Sequence, residues 1–277
     1  MANWLITGVS GGLGKALAEA ALASGDQVAG TVRKAADLAA FEALAPGRAR
    51  GFLADMTDAD AVRAAVEGAE AALGGLDVLV ANAGYGLFGA VEEASLAEIR
   101  AQFEVNVFAP IVAMQAVLPH FRRRRAGHII AITSVSGVAV WAGTGVYCGS
   151  KHALEGVTRT LAQEVAELGI KVTCVEPGGI RTDFAGRSMI VTQASIADYA
   201  GAGHAAQRIM AEHAGHEPGD PVKMAQAILA IAATPDPPLQ LLLGADAIGY
   251  ATQQMAQTQT ELGRWAKLSL STGFEAE

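Results

Sequence analysis

Thr7-Gly8-Val9-Ser10-Gly11-Gly12-Leu13-Gly14 places spaced glycines between two regularly patterned segments near the start of the chain. Before it, Trp4-Leu5-Ile6-Thr7 is short, apolar and closed by glycine, as a buried parallel strand is. After it, Lys15 to Ala23 has a helical pattern stopped by Ser24-Gly25. A glycine-rich loop therefore joins a strand to a helix. Gly8, Gly12 and Gly14 permit a tight turn and close approach of the backbone to a pyrophosphate. The helix start adds free N–H groups and partial positive charge. The spacing is Thr-Gly-x-x-x-Gly-x-Gly, and no Gly-Lys-Ser/Thr closes it, which separates it from the phosphate loop of nucleoside triphosphatases.

Strand and helix patterns alternate outward from this loop. Strands are predicted at Gln27–Val32, Gly51–Ala54, Asp77–Ala81, His128–Ser134, Lys171–Glu176 and Leu239–Leu243. Helices are predicted at 35–44, 59–73, from Ser95 onward, 146–168, 221–233 and 246–267. Ser95 with Glu98 is a capping box, and Pro110 is expected to bend or divide the helix that follows. Such alternation is the signature of a doubly wound α/β fold with a central parallel sheet. Right-handed crossovers put every strand's C-terminal end on one rim, so Gly8, Asn82, Ser134 and Pro177 share it. No Pro/Ser-rich linker divides the chain, so one domain, 1–277, is expected. Ala185 to Pro218 is poorly patterned and glycine-containing, as a mobile segment covering a site is.

Two further features point to chemistry. Tyr147 and Lys151 lie four residues apart, hence one turn apart on a helix face. An ammonium near a phenol favours the phenolate, and a tyrosine tuned down from about 10 can act as general acid or base. Arg33 follows the second strand, and no acidic residue lies between Val28 and Ala36. At that point of a dinucleotide fold an acidic residue binds the 2′-hydroxyl of NAD, whereas an arginine accommodates the 2′-phosphate of NADP. Asp55 falls at a strand end, where it either meets ligand or caps a helix.

Composition narrows the function classes. The chain has 277 residues, 51% of them hydrophobic, which suffices for a sizeable core and excludes disorder. A net charge of −8 makes it a poor binder of nucleic acid or anionic membrane. The basic run Arg122 to Arg125 is expected to be a helix's last turn, where cations complement the dipole. Two cysteines, Cys148 and Cys174, do not make a disulfide scaffold, and a cytoplasmic location fits. No apolar run approaches the roughly 20 residues that span a bilayer, and the N-terminus lacks the pattern of a signal peptide. His213 and His216 have no sensibly spaced third ligand, so no metal site is expected.

Together, Thr7-Gly8-x-x-x-Gly12-x-Gly14, Asn82-Ala83-Gly84, Asn106, Ser134, Tyr147-x-x-x-Lys151 and Pro177-Gly178 resemble the short-chain dehydrogenase/reductase family. The match is close over about residues 4–185. Ala81 and Gly11 depart from its usual Asn and Ser. The resemblance implies a three-layer Rossmann fold and a bound NADP(H). It implies that Tyr147 exchanges a proton with the substrate oxygen. Lys151 would lower the pKa of Tyr147 and bind the nicotinamide ribose. Ser134 would hydrogen-bond the substrate, and Asn106 would hold a water linking Lys151 to solvent. Cofactor contacts are implied for Gly8, Ser10, Gly11, Gly12, Leu13, Gly14, Arg33, Asp55, Met56, Asn82, Ala83, Gly84, Tyr147, Lys151, Pro177, Gly178, Ile180 and Thr182. A substrate pocket of Tyr85, Val140, Trp141 and Met189, with the segment about 185–218, would be mostly apolar. The expected activity is an NADPH-dependent carbonyl reductase acting on a ketone or secondary alcohol with a hydrophobic body. An NAD-linked alcohol or hydroxysteroid dehydrogenase and a non-catalytic dinucleotide sensor are the competing readings. A homodimer or homotetramer is implied by the family alone.

Overall fold

The computed structural model describes residues 1–186 and 188–274; Arg187, inside the expected pocket segment, and residues 275–277 lie outside it. Nine strands occur among the described residues: β1 (Asn3–Ile6), β2 (Gln27–Val32), β3 (Ala49–Leu53), β4 (Val78–Ala81), β5 (Gly86–Phe88), β6 (Gly127–Ile132), β7 (Ile170–Pro177), β8 (Met189–Val191) and β9 (Gln240–Leu243). The helices are α1 (Gly12–Ala23), α2 (Ala35–Glu42), α3 (Ala59–Leu73), α4 (Leu96–Phe103), α5 (Ala109–Arg124), α6 (Gly145–Glu164), α7 (Ala205–His213), α8 (Pro221–Ala232) and α9 (Ala245–Leu270).

Seven strands form one sheet in the order β3-β2-β1-β4-β6-β7-β9, all pairs parallel. The order reverses between β1 and β4, which is where a doubly wound sheet opens a crevice. Side chains alternate between two cores. Leu5, Leu79, Ala81, Ile129 and Ala131 join the cluster that packs α3, α5 and α6. Trp4, Ile6, Val78, Val80, Ile130 and Ile132 join the cluster that packs α1 and α8. Both faces are covered, so these strands read as continuous apolar runs.

The helix after Ser95 differs from expectation. The Ser95–Glu98 capping box forms, with Glu98 N donating to Ser95 Oγ at 3.2 Å and Ser95 N to Glu98 Oε2 at 2.9 Å. Pro110 does not divide the helix. A π-helical turn, Glu104–Phe108, joins α4 to α5, and Pro110 falls in the first turn of α5. A π-turn absorbs one extra residue and shifts the hydrogen-bond register just before Pro110, which accommodates the ring and its missing N–H. The helical stretch Leu96–Arg124 is therefore continuous, and its mean hydropathy of 1.3 is enough to cross a membrane by length and composition. Half of that window is buried: Ala113, Met114, Val117 and Phe121 pack into the core, which accounts for its apolar content.

The segment after Thr182 is more ordered than its pattern suggested. β8 pairs in parallel with the short β5, Met189 opposite Gly86 and Val191 opposite Phe88. The arginine run ends α5, with Arg125 as its left-handed cap. Arg124 pairs with Glu70 and bonds the Leu76 carbonyl, and Arg125 bonds the Glu167 carbonyl. These cations are tied to the protein's own acceptors.

Candidate active site

The glycine-rich loop comes first. Gly11 is the N-cap of α1 and offers no side-chain cap, and no acidic residue occupies the first turn. The leading N–H groups therefore lack a side-chain acceptor, as an anion site requires. Gly8 and Gly12 take positive φ, +75° and +58°. A Cβ on Gly14 would lie 2.3 Å from both the Gly8 carbonyl and Asn82 Nδ2, so only glycine lets these pieces close. These residues fit a dinucleotide phosphate. Thr182 comes within 3.9 Å of a Cβ placed on Gly12, so the loop after β7 faces the glycine loop across the crevice.

Thr7 ties the crevice walls together, a role the sequence did not reveal because it reads there as a strand end. Its hydroxyl accepts from Asn82 N at 2.9 Å and Ala83 N at 3.0 Å. Asn82 Nδ2 donates back to the Thr7 and Gly8 carbonyls at 2.8 and 3.1 Å. Asn82 thus braces the loop. Met56 is 8% exposed and sits in the core, which leaves only its backbone for a ligand. Asp58, not Asp55, caps α3. Asp55 accepts from Thr57 N and Thr57 Oγ1, which hold its carboxyl below the ordinary range, with the charge of nearby Arg33 adding to the effect. Arg33 is exposed at the end of β2.

At the other end of the crevice, Ser134, Tyr147 and Lys151 converge. Ser134 starts a 3-10 turn directly after β6, and its hydroxyl accepts from Ser136 N at 3.0 Å. Tyr147 and Lys151 share the buried face of α6. Lys151 Nζ donates to the Ile132 carbonyl at 2.9 Å. Gly84 lies against this group: a Cβ there would sit 3.6 Å from Lys151 Nζ and 3.1 Å from Asn106 Oδ1.

Burial dominates the electrostatics of Tyr147 and Lys151. Burial pushes the phenol up to about 12, opposed by the hydrogen bond from Ser134. Burial also brings the Lys151 ammonium down to about 8. Desolvation disfavours both charged forms at once.

The Asn106 side chain is bound by protein groups on both sides. Its Oδ1 accepts from Tyr85 N at 3.1 Å, and its Nδ2 donates to the Tyr85 carbonyl at 2.9 Å and to Ser150 Oγ at 3.1 Å. The side chain is committed to clamping the loop after β4 against α6. Gln102, one turn earlier, repeats the clamp on the Tyr85 carbonyl and Leu87 N.

Of the four expected pocket residues, Tyr85 and Met189 border the β5–β8 pair. Trp141 does not join them. It packs edge-on against Tyr250 of α9, with ring centroids 5.2 Å apart. Val140 is 60% exposed. The rings that actually flank Tyr147 are Phe88, nearly parallel at 6.1 Å, and Phe184, tilted at 6.0 Å. Neither stood out in sequence, since β5 has only three residues and Phe184 has no periodic neighbours. The loop Pro177 to Thr182 is held by Asp246, whose Oδ2 accepts from Gly179 N at 2.8 Å, and Ile180 packs against the α1–α8 core. Among the described residues no cluster of His, Cys, Asp or Glu could hold a metal ion.

Comparison with known proteins agrees with this geometry. The family model for short chain dehydrogenases matches residues 2–190. The oxidoreductase BOA17 of Botryotinia fuckeliana is 38% identical over 270 residues, 97% of this chain and 98% of that protein. The NADPH-dependent 3-dehydrocapnine reductase of Ornithobacterium rhinotracheale is 38% identical over 190 residues, 66% of this chain and 67% of that protein. A short-chain dehydrogenase structure from Streptomyces avermitilis superposes with a TM-score of 0.90 at 39% identity, covering 98% of this chain and 99% of that one. A glycine loop after β1, a Tyr–Lys pair on α6 and a serine after β6, on one rim of this sheet and over the length that the model matches, make the chain a member of the short chain dehydrogenase family.

Proposed function

We propose that this oxidoreductase is an NADP(H)-dependent carbonyl reductase acting on a ketone with a hydrophobic body. The observation that carries the reading is the convergence of Ser134, Tyr147 and Lys151 at one end of the crevice that the glycine loop opens. Tyr147, whose phenol burial pushes up to about 12, carries a proton in the neutral range and is placed to give it to a substrate oxygen. A bound nicotinamide supplies the hydride. As negative charge grows on the substrate oxygen, Tyr147 donates its proton to it and Ser134 steadies it with a hydrogen bond. Lys151 has spent one of its three donors on Ile132, and the others serve the ribose. The uncapped start of α1 takes the pyrophosphate, and exposed Arg33 takes the 2′-phosphate. Support for the cofactor choice also comes from the NADPH-dependent reductase among the relatives. Phe88, Phe184 and Met189 favour an apolar body beside the carbonyl.

We propose a cytoplasmic location, which rests on two free buried thiols. We also propose a homodimer or homotetramer, which rests on the apolar groove between α5 and α6 lined by Ile111, Met114, Leu118 and Val157.

The test is a panel of ketones and secondary alcohols with NADPH, NADH and their oxidised forms. Ketone reduction that prefers NADPH is expected. Preferential alcohol oxidation with NAD would replace the reading with an NAD-linked dehydrogenase. Tight NADPH binding without consumption across the panel would make the protein a sensor.

A further inference from the structure

The segment that follows Thr182 is fastened to the turns after β5 by three carboxylates. Glu98 Oε1 accepts from Gln193 N at 2.9 Å, and Glu92 Oε2 accepts from Tyr199 Oη at 2.6 Å. These two sit near water, where such bonds contribute little. Glu93 lies between them and differs. Its side chain is wholly buried, with 0% exposure. Oε2 accepts from Ala90 N at 2.8 Å, within its own turn. Oε1 accepts from Ile196 N at 2.6 Å and His204 Nε2 at 2.8 Å. A carboxylate is tolerated out of water only when its hydrogen bonds are made, and two of these three come from the later segment.

What this fastening positions is the cover over Tyr147. The same segment supplies Phe184 and β8, and β8 pairs with β5, which ends in Phe88. With both rings in place, Tyr147 is 8% exposed. The cover therefore borders the approach of a substrate to Tyr147. Once the segment lifts, water replaces its bonds to Glu93, so opening leaves no buried charge unpaired.

We propose that Glu93, bonded to His204 and to the Ile196 amide, is the latch that holds Phe184 and residues 188–204 closed over Tyr147, and so sets how tightly the closed site keeps its substrate. The inference rests on Tyr147 being the proton donor. A direct test is hydrogen–deuterium exchange of the amides in 188–204 for the wild type, Glu93→Ala, Glu93→Gln, His204→Ala and the Glu93→Ala/His204→Ala pair, alongside steady-state kinetics with NADPH and the best ketone. Expected are faster exchange in this segment for both alanine variants, and a double variant no worse than the worse single one. KM should rise about tenfold, as for loss of one charge-assisted bond, with kcat held or raised. Glu93→Gln should recover part of the protection, because its carbonyl still accepts from Ile196. Unchanged exchange in both single variants, additive effects in the pair, or a fall in kcat at constant KM would overturn the latch. If Glu93→Ala does not fold, His204→Ala decides, since that ring is already 19% exposed. The exchange measurement needs no turnover, so a failure of the Tyr147 assignment remains separable.

Discussion

Lys151 Nζ lies 6.0 Å from the centroid of the Tyr147 ring and donates at 2.9 Å to the Ile132 carbonyl. The pair is thus held near but not on the phenol, and burial governs both groups. Tyr147 stays a phenol and Lys151 titrates at about 8. That arrangement has consequences for turnover and for stability.

Tyr147→Phe removes the proton donor and keeps the ring between Phe88 and Phe184. Turnover should fall by about 10²- to 10⁴-fold, the usual contribution of a positioned acid. NADPH binding, followed by fluorescence titration, should stay close to that of the wild type. Near-normal kcat in this variant would remove the proposed mechanism.

Lys151→Met exchanges a buried ammonium for an apolar chain of similar length. The folded pKa of about 8 lies below the ordinary 10.5, so between these values the unfolded chain binds more protons. Wild-type stability therefore rises with pH across that window. The variant should be the more stable protein at pH 7, by about 1–2 kcal/mol after the unpaired Ile132 carbonyl is counted. This advantage should shrink and reverse by pH 10.5. Denaturant melts at several pH values check it; a pH-independent difference contradicts it.

His128 on β6 is 3% exposed, with Nε2 3.0 Å from Thr173 Oγ1. Burial, helped by the charge of Lys171, brings its imidazole down from 6.5 to about 4. The neutral ring's stability is complete above pH 6.5 and is lost as pH falls toward 4. The loss should approach about 3 kcal/mol. His128→Gln should flatten the difference in melting temperature between pH 7 and pH 4.5 seen in the wild type.

Arg33→Ala should raise KM for NADPH by about 10- to 100-fold, the range for losing charge-assisted bonds to a phosphate. KM for NADH should change little. Equal effects on both cofactors would remove the case for a 2′-phosphate contact.

The sequence alone determined the sheet and its rim. Trp4 to Gly14, Gln27 to Val32 and their successors carry local signals, because strand alternation, helix period and glycine spacing are set by neighbours in the chain. That was enough to bring Gly8, Asn82, Ser134, Tyr147 and Lys151 to one edge. It did not give the partners of Asn106, which lie 21 and 44 residues away, nor the contact of Trp141 with Tyr250 rather than with the pocket. Nor did it reveal β5 and β8, which are three residues each and are strands only because they pair with one another. Nor did it show how deeply Tyr147 is buried, since a four-residue spacing shows a neighbouring charge and not the depth of burial. Burial, and the bonds from Glu93 to residues 103 and 111 positions downstream, exist only once the chain has closed on itself; tertiary packing decided them.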